Sequence, residues 1–257
     1  MTLSGKRAII TGSNSGIGLG VAEALAAAGA EVILNSFTDR AEDHDLARDL
    51  GARHGVAARY IAADMSKGVE CRALVEKAGG CDILVNNAGI QFVSPIEDFP
   101  VEKWDAILAI NLTSAFHTTA AALPGMRARG WGRVVNIASA HGLTASPYKS
   151  AYVTAKHGVA GFTKSVALEV AEMGITVNAV CPGYVLTPLV EQQIPDTAKA
   201  RGISVEAVIR DVLLAAQPTK KFVTVEQVAA LTSFLCTDDA ASITGAILPI
   251  EGGWTAH

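Results

Sequence analysis

Short apolar runs alternate with longer stretches of helical pattern along the whole chain, and this alternation leaves few folds open. The apolar runs are Arg7–Thr11, Glu31–Asn35, Ala57–Ala63, CDILVNNAG, RVVNIAS, TVNAVCPG and GAILPI. They are apolar at successive positions, which is the mark of strands buried on both faces. Helical runs separate them: Ile17–Ala28 closed by Gly29, Thr38–His54, Ser66–Ala78, Val101–Met126, Ser150–Met173 and Thr224–Thr237. Strands covered on both faces and joined by helices make a parallel sheet, and right-handed crossovers put helices on both sides. The expected fold is therefore α/β: a single domain over residues 1–257, with a Rossmann-type doubly wound parallel sheet of about seven strands. One stretch breaks the alternation, Leu186–Phe222, after the sixth strand. It holds prolines 188, 195 and 218, yet Val205, Val208, Ile209, Val212 and Leu213 fall at helical spacing. Ligands bind at the carboxyl ends of such strands, so residues 186–222 are expected to form a small helical lid over a substrate.

Composition removes several alternatives. Of 257 residues, 50% are hydrophobic and 18% charged, the reverse of a disordered chain. A net charge of −4 argues against a nucleic-acid partner. No uncharged apolar stretch reaches the ~18 residues of a membrane span, so no membrane partner is expected. The opening MTLSGKRAIITG does not read as a secretory signal. Cys71, Cys81, Cys181 and Cys236 lie far apart with no CxxC or Cys/His cluster. That spacing suits a reducing cytoplasm, and neither a disulfide framework nor a metal site is expected.

The first strand runs directly into Thr11-Gly12-Ser13-Asn14-Ser15-Gly16-Ile17-Gly18 and then into a helix. Gly12 permits a tight turn, Gly16 lets backbone N–H groups approach a pyrophosphate, and Gly18 lets the helix pack close to the sheet. The helix N-terminus favours phosphate charge. The spacing is GxxxGxG, and its position between a strand and a helix points to a nucleotide. At the end of the second strand a carboxylate would bind the ribose hydroxyl of NAD, and an arginine the extra phosphate of NADP. The chain has Asn35-Ser36-Phe37-Thr38-Asp39 there, with Arg40 later and neutral Ser15 in the turn. NADP lacks an obvious partner, so NAD is the expected cofactor.

Tyr152 and Lys156 stand at i and i+4, on one helix face. A phenol is a weak base at neutral pH, but a neighbouring ammonium favours its anion. Tyr152 could then take the proton of an alcohol. Ser139 ends the fifth strand, where its hydroxyl can bind the substrate oxygen.

TGxxxGxG at Thr11–Gly18, NNAG at Asn86–Gly89, Ser139 with Tyr152 and Lys156, Pro182-Gly183 and the terminal Gly252-Gly253 occur together and in order. In this the chain resembles the short-chain dehydrogenase/reductase family over essentially its full length. The resemblance implies a catalytic set of Ser139, Tyr152 and Lys156, extended by Asn111, which would hold a helix irregularity and a water of a proton relay. It implies that Lys156 bridges the ribose hydroxyls and that Thr187 holds the carboxamide. Gly12, Ser15, Gly16, Ile17, Gly18, Phe37, Asp64, Met65, Asn87, Pro182, Gly183 and Val185 would form the rest of the cofactor groove. Asp64 would contact adenine, or could simply cap the following helix.

Gln91, His141, Lys149 and Gln193 accompany this machinery, and such a set can hold a small carboxylate by charge and hydrogen bonds. The strings NNAGIQ, NIASAHGL, KSAYVTAKHG and GGWTAH resemble the branch of the family that acts on 3-hydroxybutyrate. By that resemblance the four residues bind the substrate carboxylate and Trp254 lies near the pocket. Tyr184 stands where that branch often has tryptophan, which could alter pocket size. The implied reaction is reversible, NAD-dependent oxidation of (R)-3-hydroxybutyrate to acetoacetate in a homotetramer assembled through the helices at 101–126 and 150–173. Two alternatives stand beside it. One is a dehydrogenase of another small alcohol: a sugar, a polyol, or a 3-oxoacyl thioester held by Lys220-Lys221. The other is a non-catalytic NAD sensor.

Overall fold

The structure is a computed structural model that describes residues 2–256 except 192–193, 196–197 and 199–201. Seven parallel strands form one sheet: β1 (Arg7–Ile10), β2 (Glu31–Leu34), β3 (Ala58–Tyr60), β4 (Ile83–Asn86), β5 (Gly132–Ile137), β6 (Ile175–Pro182) and β7 (Ile247–Ile250). Their order is β3-β2-β1-β4-β5-β6-β7. The chain winds outward from β1 to β3, then returns to lay β4 on the other side of β1. That reversal leaves a crevice at the carboxyl ends of β1 and β4, the place where open α/β sheets bind ligands.

The apolar runs are strands because both sides of each are covered. Ala8 and Ile10 of β1 pack into one core with Val32 and Leu34 of β2. The alternate residues Ile9 and Ile33 point into a second core on the opposite face. The first core is closed by α1 (Gly16–Ala27), α2 (Ala41–His54) and, further on, the helix Val225–Leu235. The second is closed by α3 (Gly68–Lys77), α5 (Ser114–Arg129) and α6 (Ser150–Glu169), while α4 (Val101–Leu108) packs its Ile107 against Ala151 and Ala155 of α6. The helix Val225–Leu235, α7, starts with a capping box between Thr224 and Gln227.

Element boundaries shift modestly from expectation. The α2 helix starts at Ala41 and not Thr38, because Asp43 caps it by accepting from the Arg40 backbone N–H. The α6 helix ends at Glu169, short of Met173. The expected single helix over 101–126 runs on to Arg129 and contains a π-helical turn at Ala109–Thr113. By length and apolarity Val101–Arg129 could cross a membrane. In the fold its Ala122, Leu123 and Met126 are buried in the second core.

The expected lid begins and ends at one point, since Val185 and Val223 form a parallel bridge. Among its described residues are the short helix Pro188–Glu191, the turn Val205–Ala207 and a π-helical turn Val208–Leu213. Ile194, Val208 and Leu213 pack with Tyr184, Val190 and Phe222 into a small apolar cluster of their own.

Candidate active site

The glycine turn is locked to the strand ends around it by bonds between side chains and backbone. Thr11 Oγ1 accepts from the N–H groups of Asn87 and Ala88, both at 3.0 Å. Asn87 Nδ2 donates back to the carbonyls of Thr11 and Gly12, at 2.9 and 2.8 Å. Gly12 and Gly16 take left-handed φ values of +61° and +56°, which favour glycine. A methyl on Gly12 would come within 2.8 Å of the Ala88 backbone, and one on Gly18 within 2.3 Å of the Gly12 carbonyl. Ser15, at the N-cap of α1, makes no capping hydrogen bond. The first-turn N–H groups of the helix therefore keep unsatisfied donors at the crevice.

A cleft of about 390 Å³ runs from this turn to Trp254. The catalytic candidates meet at its other end. Ser139 is delivered by the end of β5, and Tyr152 and Lys156 by α6. Lys156 is 4% exposed, and its Nζ donates to the Ile137 carbonyl at 2.8 Å and lies 5.6 Å from the Tyr152 ring centroid. Ser139 Oγ accepts from the His141 N–H at 3.1 Å. The His141 ring stands edge-on to Tyr152 at 5.8 Å and to Trp254 at 4.9 Å. Burial sets the protonation of all three ionisable groups. It pushes the Tyr152 phenol up to about 12, against a lowering by Ser139, and the Lys156 ammonium down to about 8. It drives His141 down to about 4, with the charge of Lys149 adding to the effect. Each group is thus pressed toward its neutral form.

A family model described as short chain dehydrogenase matches residues 6–198. The chain belongs to this family. It is an oxidoreductase by that membership. A D-beta-hydroxybutyrate dehydrogenase of Rhizobium meliloti is 58% identical, over 98% of this chain and 99% of its own. A D-beta-hydroxybutyrate dehydrogenase of Cupriavidus necator is 55% identical, over 99% of this chain and 100% of its own. Among solved structures, the L-sorbose reductase of Gluconobacter frateurii, complexed with NADPH and L-sorbose, superposes with a TM-score of 0.94. It is 33% identical, and the match covers 100% of this chain and 99% of that one.

In this short chain dehydrogenase the cleft is lined by Gly12, Ser15, Gly16, Ile17, Phe37, Asp64, Met65, Asn87, Pro182, Gly183, Val185 and Thr187 of the expected cofactor groove. Gln91, Ser139, His141, Lys149, Tyr152, Lys156 and Trp254 line it as well. Gln193 lies outside the described residues. Gly18 and Asn111 do not line the cleft. Gly18 lies beneath the turn, where it admits Gly12 and Asn87. Asn111 sits in the π-helical turn, accepts from the Ile90 N–H at 2.8 Å and donates to the Ile90 carbonyl at 2.9 Å. It holds the segment after β4 in position. Asp64 accepts from the Ser66 N–H and hydroxyl at 2.9 and 2.7 Å, whereas the N-cap of α3 is Lys67.

Residue patterns did not single out Asn35, which is fully buried. Its Oδ1 accepts from the Gly12 N–H at 3.3 Å, and its Nδ2 donates to the carbonyls of Ile61 and Ala63 at 3.0 and 3.2 Å. It ties the glycine turn to β2 and to the segment after β3. Its position just after a strand end, beside the glycine turn, is the sequence signal for that role. Nearby, Asp43 is buried. Burial alone would raise its carboxyl, but hydrogen bonds from Thr38, Asn14 and Arg40 hold it well below the usual carboxylate range. Arg40 is thereby paired with Asp43, at 3.4 Å.

The groove suits a nicotinamide dinucleotide. Uncapped helix donors and a methyl-free turn face it at one end. At the other, Lys156 keeps ammonium protons beyond the one given to Ile137.

Proposed function

We propose that this dehydrogenase oxidises (R)-3-hydroxybutyrate reversibly to acetoacetate with NAD. One observation carries the proposal: the Ser139/Tyr152/Lys156 set opens into the same cleft as Lys149, His141 and Gln91. An alcohol-oxidising group thus adjoins a cation and neutral polar groups able to hold a carboxylate. The names of the relatives at 58% and 55% identity support the same substrate.

The glycine turn and the N-terminus of α1 would hold the pyrophosphate, Lys156 the ribose hydroxyls and Thr187 the carboxamide. Bound, oxidised nicotinamide supplies the hydride acceptor and a positive charge. Ser139 holds the substrate oxygen, and Tyr152 Oη takes the hydroxyl proton. Lys156, close to the ring, stabilises the phenolate and offsets the burial that raises Tyr152. Asn111 acts as a positioning residue through Ile90. Residues 186–222 close over the substrate as a lid.

NAD is favoured over NADP by charge. Among the described residues the cations lining the cleft are Lys149, the N-cap of α6, and Lys156 within it. Asn35, Ser36 and Phe37 follow β2, three strands from β5, roughly 14 Å across the sheet. There Arg40 is paired with Asp43 and the ionised Asp43 is bonded to Asn14. Among the described lining residues at that end a 2′-phosphate would find no free cation. The four cysteines, all free and buried, support a reducing compartment such as the cytoplasm.

The test is NADH formation with (R)- and (S)-3-hydroxybutyrate, repeated with NADP and with Tyr152→Phe. The expected result is turnover of the (R) acid, preference for NAD, and a loss of at least ~10²-fold in kcat for the variant with NAD binding retained. Equal use of both enantiomers or an active variant would reject the assignment.

A further inference from the structure

We infer that Tyr184 is a specificity-determining residue: its hydroxyl and Lys149 together form a two-donor clamp for the substrate carboxylate. The inference rests on the 3-hydroxybutyrate reading above and names a contact within that site.

Lys149, at the N-cap of α6, and Tyr184, just after β6, are 35 residues apart and meet at the cleft wall. Lys149 Nζ donates to the Tyr184 hydroxyl oxygen at 3.0 Å. An ammonium can only donate, so the phenol oxygen is the acceptor and its own O–H is left to donate elsewhere. The adjacent cation polarises that O–H and makes it a stronger donor. The ammonium keeps two further N–H groups. Both side chains line the cleft that holds Ser139 and Tyr152. The result is an O–H and an N–H donor side by side, matched to the two oxygens of a carboxylate.

The charge balance also calls for an anion. His141 beside Lys149 is held neutral, at about 4. Asp64, the acidic residue among the described lining residues, follows β3 at the far edge of the sheet. No carboxylate in the described cleft neutralises Lys149.

The phenol is fixed before any ligand arrives. Its ring stacks on Trp254, with centroids 5.7 Å apart and planes at 10°. Its backbone N–H donates to Gln217 Oε1, and its carbonyl accepts from the Val223 N–H at 3.0 Å. Gln217 is itself buried and anchored on the Lys221 carbonyl at 2.6 Å. A donor held in place costs little to order on binding.

The experiment compares kinetics of the wild-type enzyme, Tyr184→Phe, Lys149→Ala and the double variant, with NAD, on (R)-3-hydroxybutyrate and its uncharged methyl ester. Phenylalanine keeps the stacking and removes only the hydroxyl. KM for the acid should rise about tenfold, ~1.4 kcal/mol, with kcat within about twofold. KM for the ester should not move, so the preference for acid over ester falls by the same factor. On the Lys149→Ala background the same substitution should add much less, because the pair acts as a unit. An unchanged KM for the acid, or equal changes for acid and ester, would overturn the role of Tyr184 while leaving the substrate intact. A wild-type enzyme that does not oxidise the acid would overturn both.

Discussion

At the residue scale burial presses Tyr152, Lys156 and His141 toward their neutral forms, and His141 is the clearest case. Its ring is 3% exposed, accepts or donates to Ser146 Oγ at 2.9 Å, and titrates near 4 against an ordinary 6.5. Between those values the unfolded chain binds a proton that the folded chain refuses. Stability is therefore fully present above pH 6.5 and declines as the pH falls toward 4, by up to ~3 kcal/mol at about 1.4 kcal/mol per pH unit. Denaturant unfolding from pH 4.5 to 7 should show this decline, and His141→Gln should flatten it; a parallel slope in both proteins would reject the idea. The pairing of Tyr152 with Lys156 was legible because two residues four apart share a helix face. The neutrality of His141 was not, since it comes first from burial, which Trp254 from the far end of the chain helps to complete, and then from the charge of Lys149.

At the element scale, the motifs of the chain turn out to be divided between contact and support. Gly12 and Gly16 face the cleft, while Gly18 lies under it. Alanine at Gly18 puts a methyl 2.3 Å from the Gly12 carbonyl and 2.5 Å from Asn87 Nδ2, both of them structural partners of the turn. The turn has to open, at a cost of about 1–3 kcal/mol. Calorimetric titration should show NAD affinity weakened by roughly an order of magnitude or more. Gly161→Ala in α6 is the control. Nothing lies within 4 Å of an added methyl there, so the change should leave NAD binding as it was and stabilise α6 by up to about 1 kcal/mol. In NNAG, Asn86 is likewise internal: its Nδ2 donates to Asn136 Oδ1 at 2.8 Å and its Oδ1 accepts from Thr118 at 2.7 Å. The π-helical turn at Ala109–Thr113 is the helix irregularity that the family resemblance implied at Asn111, whose bonds to Ile90 tie it to another segment.

At the scale of the whole molecule, the helical layer over the second core keeps apolar groups on its outside. Val101 is 71% exposed, Phe116 47% and Leu168 81%, on the same helices proposed to assemble the tetramer. Light scattering should give a mass of four chains, and a monomer at micromolar concentration would reject the assembly. The double winding, the glycine turn and the Ser/Tyr/Lys set were all readable in advance. Apolar runs, glycine spacing and i, i+4 pairs are local patterns, and local physics acts on them alone. The three-dimensional structure decided the rest. It put Gly18 and Asn111 behind the site, made Asn35 the tie between three strand ends, and brought Tyr184 to Lys149. These are contacts between segments far apart in sequence, and what such a contact does depends on burial and direction, which exist only once the sheet has closed.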